Sequence, residues 1–244
     1  MAAPRQHLKR APIEEAIIEL RVQPAVGLAF EQLAPLVEEL GQSYPVRETL
    51  RSLSATLHIG REPLLPEQED RQLGWVLHSS DKCQVVRITA ESFSFSRLRP
   101  YTDWNQVSSE ARRVWALYVR VAEPLQVTRL GTRYVNRESL PNGIAPGRVL
   151  EEPPKVPPPA PSSIQRFVAL VELRDAETTA NATVIQAMEP TQAGTNVFLD
   201  IDAYRIVTLS PQSPEIPLVL ETLRQLKNRI FFASVTESAV EDWS

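Results

Sequence analysis

Cysteine occurs once, at Cys83, so no intrachain disulfide can form and a disulfide scaffold is excluded. Histidine occurs three times, at His7, His58 and His78, and none has a His or Cys partner at metal-ligand spacing. A zinc site of the usual composition is therefore not expected, nor is any other cofactor. Glycine is scarce, with eight in 244 residues. There is no Walker loop and no Gly-x-Gly-x-x-Gly turn to cradle phosphates. There is also no Gly-x-Ser-x-Gly elbow and no serine followed by a histidine in a triad order. These absences give the expectation that the chain is not an enzyme, although paired carboxylates need no local motif.

Lysine is nearly missing as well: four against 22 arginines, a bias expected of a GC-rich genome. No stretch approaches the roughly 18 apolar residues of a spanning helix. The basic residues near the start, Arg5, Lys9 and Arg10, precede no apolar run. A Sec signal peptide and a membrane partner are thus not expected, and the expected location is cytoplasmic. The net charge of −4 argues against non-specific binding to nucleic acid or membranes. Residues 1–122 carry 15 basic and 15 acidic side chains, leaving 11 and 15 for residues 123–244, so neither half is basic.

The remaining composition, 43% hydrophobic and 23% charged, is that of a globular protein with a real core. Residues 14–22 alternate as a strand, with Ala16, Ile18, Leu20 and Val22 opposite Glu15, Glu19 and Arg21. Phe30, Leu33, Val37 and Leu40 follow helical spacing and Gly41 marks the stop, with Pro35 in the first turn or at a kink. Strands are expected over 50–60, 72–79 and 84–98, then an amphipathic helix over 105–122. The pattern restarts with a strand over 126–138. Eight prolines between residues 141 and 161 then make an extended loop. Strands over 164–174, 181–188 and 195–209 and a helix over 216–232 complete the chain. Phe93 and Phe95 sit at the spacing with which RNA-binding sheets stack bases, but core is the better reading for both. Cys83 reads as an inert small residue and the four tryptophans as packing residues, Trp104 being the most exposed.

A shift of 111 takes Ala34-Pro35 to Ala145-Pro146, and Ile88, Ala90, Glu91, Phe93, Phe95, Leu98 and Pro100 to Leu199, Ile201, Asp202, Tyr204, Ile206, Leu209 and Pro211. The fold class is therefore expected to be α+β: two tandem strand-helix-strand-strand-strand-helix repeats, residues 1–123 and 124–244. They would form one compact pseudo-two-fold unit, an antiparallel curved sheet covered by two long helices, with helix-grip or TATA-binding-protein-like topology. The candidate functional surface is the stripe Arg129, Arg133 and Arg137 on strand 126–138. Alternation puts the three on one face, roughly 13 Å apart at every fourth residue for about 3.3 Å of rise per residue. Such a stripe would suit phosphates or an acidic partner. Alternatively, the two repeat-starting strands lie side by side and Glu15, Glu19 and Arg21 join the stripe in a charge ladder.

Three segments carry a resemblance. Ala11-Pro12-Ile13-Glu14-Glu15-Ala16-Ile17-Ile18-Glu19-Leu20-Arg21 resembles the N-terminal signature of a sporadically distributed bacterial family of about this length, which has no established function. Gly131-Thr132-Arg133-Tyr134-Val135-Asn136-Arg137 resembles its central motif, which adds Asn136 to the candidates. Phe231-Phe232-Ala233-Ser234-Val235-Thr236-Glu237 is similar to its ending. The resemblance implies patchy inheritance, as in accessory or defence-linked genes, and no activity. The function expected is that of a non-enzymatic binding protein acting through a protein partner, such as the product of a neighbouring gene, with the proline-rich loop as an interaction segment. A nucleic-acid module using the arginine-lined sheet and a small-ligand helix-grip domain are the alternatives.

Overall fold

The computed structural model describes residues 8–52, 71–157, 159 and 164–244. Nine strands form one antiparallel sheet. They are β1 (Ile13–Gln23), β2 (Val46–Ser52), β3 (Arg71–His78), β4 (Gln84–Thr89), β5 (Ser92–Leu98), β6 (Gln126–Pro141), β7 (Phe167–Arg174), β8 (Asn181–Pro190) and β9 (Gly194–Leu209). Among the described residues there are four α-helices: α1 (Ala34–Leu40), α2 (Trp104–Ala122), α3 (Glu215–Ser234) and α4 (Glu237–Trp243). The strand order is β2-β3-β4-β5-β1-β6-β9-β8-β7, so the two strands that open the halves of the chain meet in the middle.

One face of this sheet is covered. Helix α2 lies over β5 and β1, and α3 lies over β9 and β6. The strands supply Ile18, Leu20, Phe93, Phe95, Leu130 and Ala203 to a cluster closed by Val114, Tyr118, Leu223 and Leu226 of the helices. Phe93 and Phe95 are fully buried there, Phe93 against Trp115 and Tyr118 with ring centroids 5.7 and 6.0 Å away. They form no stacking platform. Because the cluster draws on residues from both sides of position 123, the two halves share a core. Helix α2 starts at Asp103, whose carboxylate accepts from the Gln106 N–H at 3.0 Å, and stops at Glu123, in the left-handed region at φ 44°.

Two expectations need correction. Residues 84–98 are two strands, not one. Thr89 Oγ1 accepts from the N–H groups of Glu91 (3.1 Å) and Ser92 (2.9 Å), closing a turn between β4 and β5. The first half therefore carries one strand more than the strand-helix-strand-strand-strand-helix pattern. In the second half β9 runs straight through the corresponding position for 16 residues. The single shift of 111 consequently pairs Phe93, on the helix-covered face, with Tyr204, which lies on the open face under Arg129. The segment around Pro35 is also not one helix: a 3-10 turn over Phe30–Leu33 leads into α1, with Pro35 in its first turn.

The other helix and strand boundaries fall within a few residues of the expected ones. The expected strand over 50–60 is β2 as far as Ser52; its remainder, like Pro158 and Pro161 of the loop, lies outside the described residues. At its start the proline-rich segment is docked. Val149 and Leu150 are buried against Phe231, Val235 and Trp243, and Glu151 N–H bonds the Ser234 carbonyl at 3.0 Å. Trp243 in α4 is fixed by its Nε1 donating to Glu138 at 2.9 Å.

Candidate functional site

The sheet presents two candidate surfaces, one on each face. On the open face β1 and β6 pair with Arg21 opposite Arg129, Glu19 opposite Gly131, Ile17 opposite Arg133 and Glu15 opposite Val135. Arg129 is only 8% exposed. Its guanidinium bonds Glu19 of β1 and, at 2.7 Å, Asp202 of β9, and it stacks 4.4 Å above the Tyr204 ring. It lies over Gly131, where a Cβ would come within 2.7 Å of its Nη1 and push the guanidinium aside. Burial pushes the Asp202 carboxyl above its ordinary range, partly countered by Arg129.

Arg133 makes a forked pair with Asp200 of β9, Nε to Oδ1 at 2.9 Å and Nη2 to Oδ2 at 2.6 Å, which raises its pKa further. Arg137 donates to Glu14 at 3.0 Å, a carboxylate shared with Arg99 at 2.9 Å. Glu15 pairs with Arg87 at 3.3 Å and Arg21 with Glu19 at 3.3 Å. Arg129, Arg133, Arg137, Glu15, Glu19 and Arg21 thus share one face. Asn136 does not: it is buried on the helix side, its amide donating to the Leu199 carbonyl at 2.8 Å. The sequence reading lacked Asp200 and Asp202, which belong to a strand three elements later in the chain. It also lacked Arg87 and Arg99, whose partners depend on the β1–β5 register.

On the covered face, α2 and α3 leave a cleft of about 960 Å³ between them, over β1. Ile18 and Leu20 of β1 form its floor. Ala111, Trp115, Ala116 and Val119 of α2 form one wall, and Ile216, Pro217 and Leu220 of α3 the other. Residues 211–214 close one end, where Trp115 Nε1 donates to the Pro211 carbonyl at 3.0 Å. At the other end lie Trp104, Glu221 and Arg224. Arg224 is paired with Glu221 at 2.5 Å and stands 5.8 Å from the Trp104 ring centre. Arg112 is exposed on the rim and makes no ion pair among the described residues.

One turn beyond Arg224, outside the cleft lining, Lys227 is 7% exposed with its ammonium 3.6 Å from the centre of the Tyr134 ring. Among the described residues no carboxylate pairs with it. Burial, helped by the charge of Arg224, lowers its pKa to about 7. Tyr134 and Tyr101 touch through their hydroxyls at 3.3 Å, and burial raises both above the ordinary tyrosine value. Lys227 was not legible in the sequence, because a lone lysine on a helix stripe reads as surface.

Among the described residues no group of three or more His, Cys, Asp or Glu side chains could hold a metal ion, and no helix is long and apolar enough to cross a membrane. No family model matches the chain, and no curated protein is similar to it.

Proposed function

We propose that the chain is a non-enzymatic binding protein that holds an elongated apolar molecule with an anionic group in the cleft between α2 and α3. The volume of about 960 Å³ carries this reading: it is the size of a small-molecule site, mostly apolar and floored by a rigid sheet. Arg112 on the rim supplies a cation that no carboxylate of the described chain neutralises. The sequence alternative of a helix-grip ligand domain is thereby preferred to the nucleic-acid module. The β6 arginines that would have contacted phosphates are each engaged by a carboxylate, which would have to be displaced first.

The arrangement β4-β5-β1 on one side of the centre and β8-β9-β6 on the other, with a long helix after the last strand of each half, supports an internal duplication about an axis between β1 and β6. The resemblance to a sporadic bacterial family, with a cytoplasmic location and an accessory or defence-linked context, stays within this proposal. So does a protein partner that delivers or receives the ligand.

The test is calorimetric titration with long-chain carboxylates and with the matching alcohols. Carboxylates should bind more tightly than alcohols, and Arg112→Ala should remove that preference. Ala116→Trp, which fills the cleft from an exposed helix position, should abolish binding without lowering the melting temperature. Binding unaffected by Ala116→Trp, or no binding of either series, would refute the cleft as the site.

A further inference from the structure

Strand β7 ends the sheet on the side away from β2. Its neighbour β8 satisfies only half of its main chain. Asp175 N–H bonds the Ala180 carbonyl at 2.8 Å and the register is unbroken from there. The odd residues of β7 therefore exchange hydrogen bonds with β8, while the N–H and C=O groups of Val168, Leu170, Glu172 and Arg174 point outward. Apolar side chains are exposed on both faces of this edge. Val168 (73%) and Leu170 (59%) lie on the open face, and Val171 (51%) and Leu173 (42%) on the helix face. The open-face patch continues inward through Ile185 and Ala187 of β8 to Phe198 of β9. An edge this apolar is what sheet proteins normally guard against with charge or proline. At the opposite edge β2 carries Arg47, Glu48 and Arg51.

We propose that β7 pairs antiparallel with β7 of a second copy of this chain, about a two-fold axis through Ala169 perpendicular to the sheet. The paired strands join two nine-stranded sheets into one. Such an axis keeps both sets of helices on the same side and pairs residues of like parity. The sequence selects the register. Centred on Ala169, Val168 faces Leu170 of the second copy, Phe167 faces Val171 and Arg166 faces Glu172, each contact occurring twice. Centred on Leu170, Arg166 would face Arg174. Centred on Val171, Leu170 would face Glu172. Only the first register sets apolar against apolar and cation against anion. Arg166 and Glu172 are both exposed and neither has an ion-pair partner among the described residues. Arg166-Phe167-Val168-Ala169-Leu170-Val171-Glu172 is thus complementary to itself, which fits a second copy better than an unrelated strand.

The experiment is the solution mass of the full chain by light scattering and sedimentation. A dimer near twice 27.4 kDa is expected. Arg166→Glu and Glu172→Arg should each weaken it at least tenfold, and the two changes together should restore it. Leu170→Lys should give a monomer that melts as the parent does. In a Cys83→Ser background, Ala169→Cys should form an intersubunit disulfide, because residue 169 would face itself in a non-hydrogen-bonded pair. A wild-type monomer at 100 µM, a dimer indifferent to Arg166→Glu, or a double swap that fails to restore it would overturn the proposal.

Discussion

Replacing Lys227 with methionine should stabilise the protein, and by an amount that depends on pH. In the folded chain the ammonium is 7% exposed, rests on the Tyr134 ring and has Arg224 as a charged neighbour. Its pKa falls from 10.5 to about 7. A lowered lysine pKa means that the unfolded chain binds the proton more tightly than the folded one. Between the two values stability therefore rises with pH, and below the folded value the whole penalty is present. At about 1.4 kcal/mol per pKa unit, the protonated lysine costs about 4 kcal/mol at pH 7. Raising the pH to 9 should recover about 2 kcal/mol of this, before Tyr101 and Tyr134 begin to titrate in the unfolded chain. Methionine keeps the volume and removes the charge. It forfeits the cation–π contact, worth about 1–2 kcal/mol, so the net gain at pH 7 should be about 2–3 kcal/mol. Urea unfolding at pH 7 and pH 9 measures both numbers. The parent should gain stability between these two values and Lys227→Met should not. Equal pH slopes in parent and variant would refute the claim that this ammonium is desolvated.

The open-face network should respond by burial rather than by number of contacts. Arg129→Ala leaves Asp202 without its partner and Glu19 with Arg21 alone, around a site 8% exposed, and should cost about 3–5 kcal/mol in urea unfolding. Arg133→Ala removes a side chain 46% exposed but leaves Asp200, 13% exposed, without its partner, and should cost about 1–3 kcal/mol; a loss equal to that of Arg129→Ala would show that the network acts as one unit. Gly74→Ala would place a Cβ 2.0 Å from the Ile88 carbonyl oxygen, so separation of β3 from β4 and a loss above about 2 kcal/mol are expected. A melting temperature within a degree of the parent would contradict that geometry. Leu150→Ala, in the buried start of the proline-rich segment, should cost about 2–4 kcal/mol, whereas Val156→Ala, on an exposed stretch, should change stability by less than about 0.5 kcal/mol.

The class of the fold was legible because its signals are local. Alternation over Ala16–Val22 and the stripe Val107, Ala111, Val114, Tyr118 each report one element without reference to another. The β4–β5 turn was also written locally, but as a change of parity. Val86 and Ile88 are buried and then Phe93 and Phe95: even positions give way to odd, which a continuous strand allows only at a bulge. In β9 the buried Val197, Leu199, Ile201 and Ala203 keep one parity and the strand does not turn. A pattern read only for apolar content misses that difference. The partners of the arginines were out of reach for another reason. Asp200 and Asp202 contact β6 only because β9 skips past β7 and β8 to lie beside it, and no local spacing encodes a strand order.

The same strand order explains why the cleft lies where it does. Each long helix follows the strand next to the centre, β5 before α2 and β9 before α3. Each must fold back over that strand and its central neighbour to bury its stripe. Since β1 and β6 are antiparallel, the helices approach the middle from opposite directions, Trp104 of one beside Arg224 of the other. Alongside Trp115, Ile216 and Leu220, the lining includes Ser108, Ala111 and Ala116 of α2 and Pro217 of α3, which are too short to close the gap. With these small and rigid residues in the lining the helices do not interlock over the cleft, and the sheet beneath cannot rise to fill the space. Ser108→Leu combined with Ala116→Leu should therefore raise the melting temperature by several degrees through added apolar burial while removing carboxylate binding. A double variant that binds as before would show that the ligand lies elsewhere.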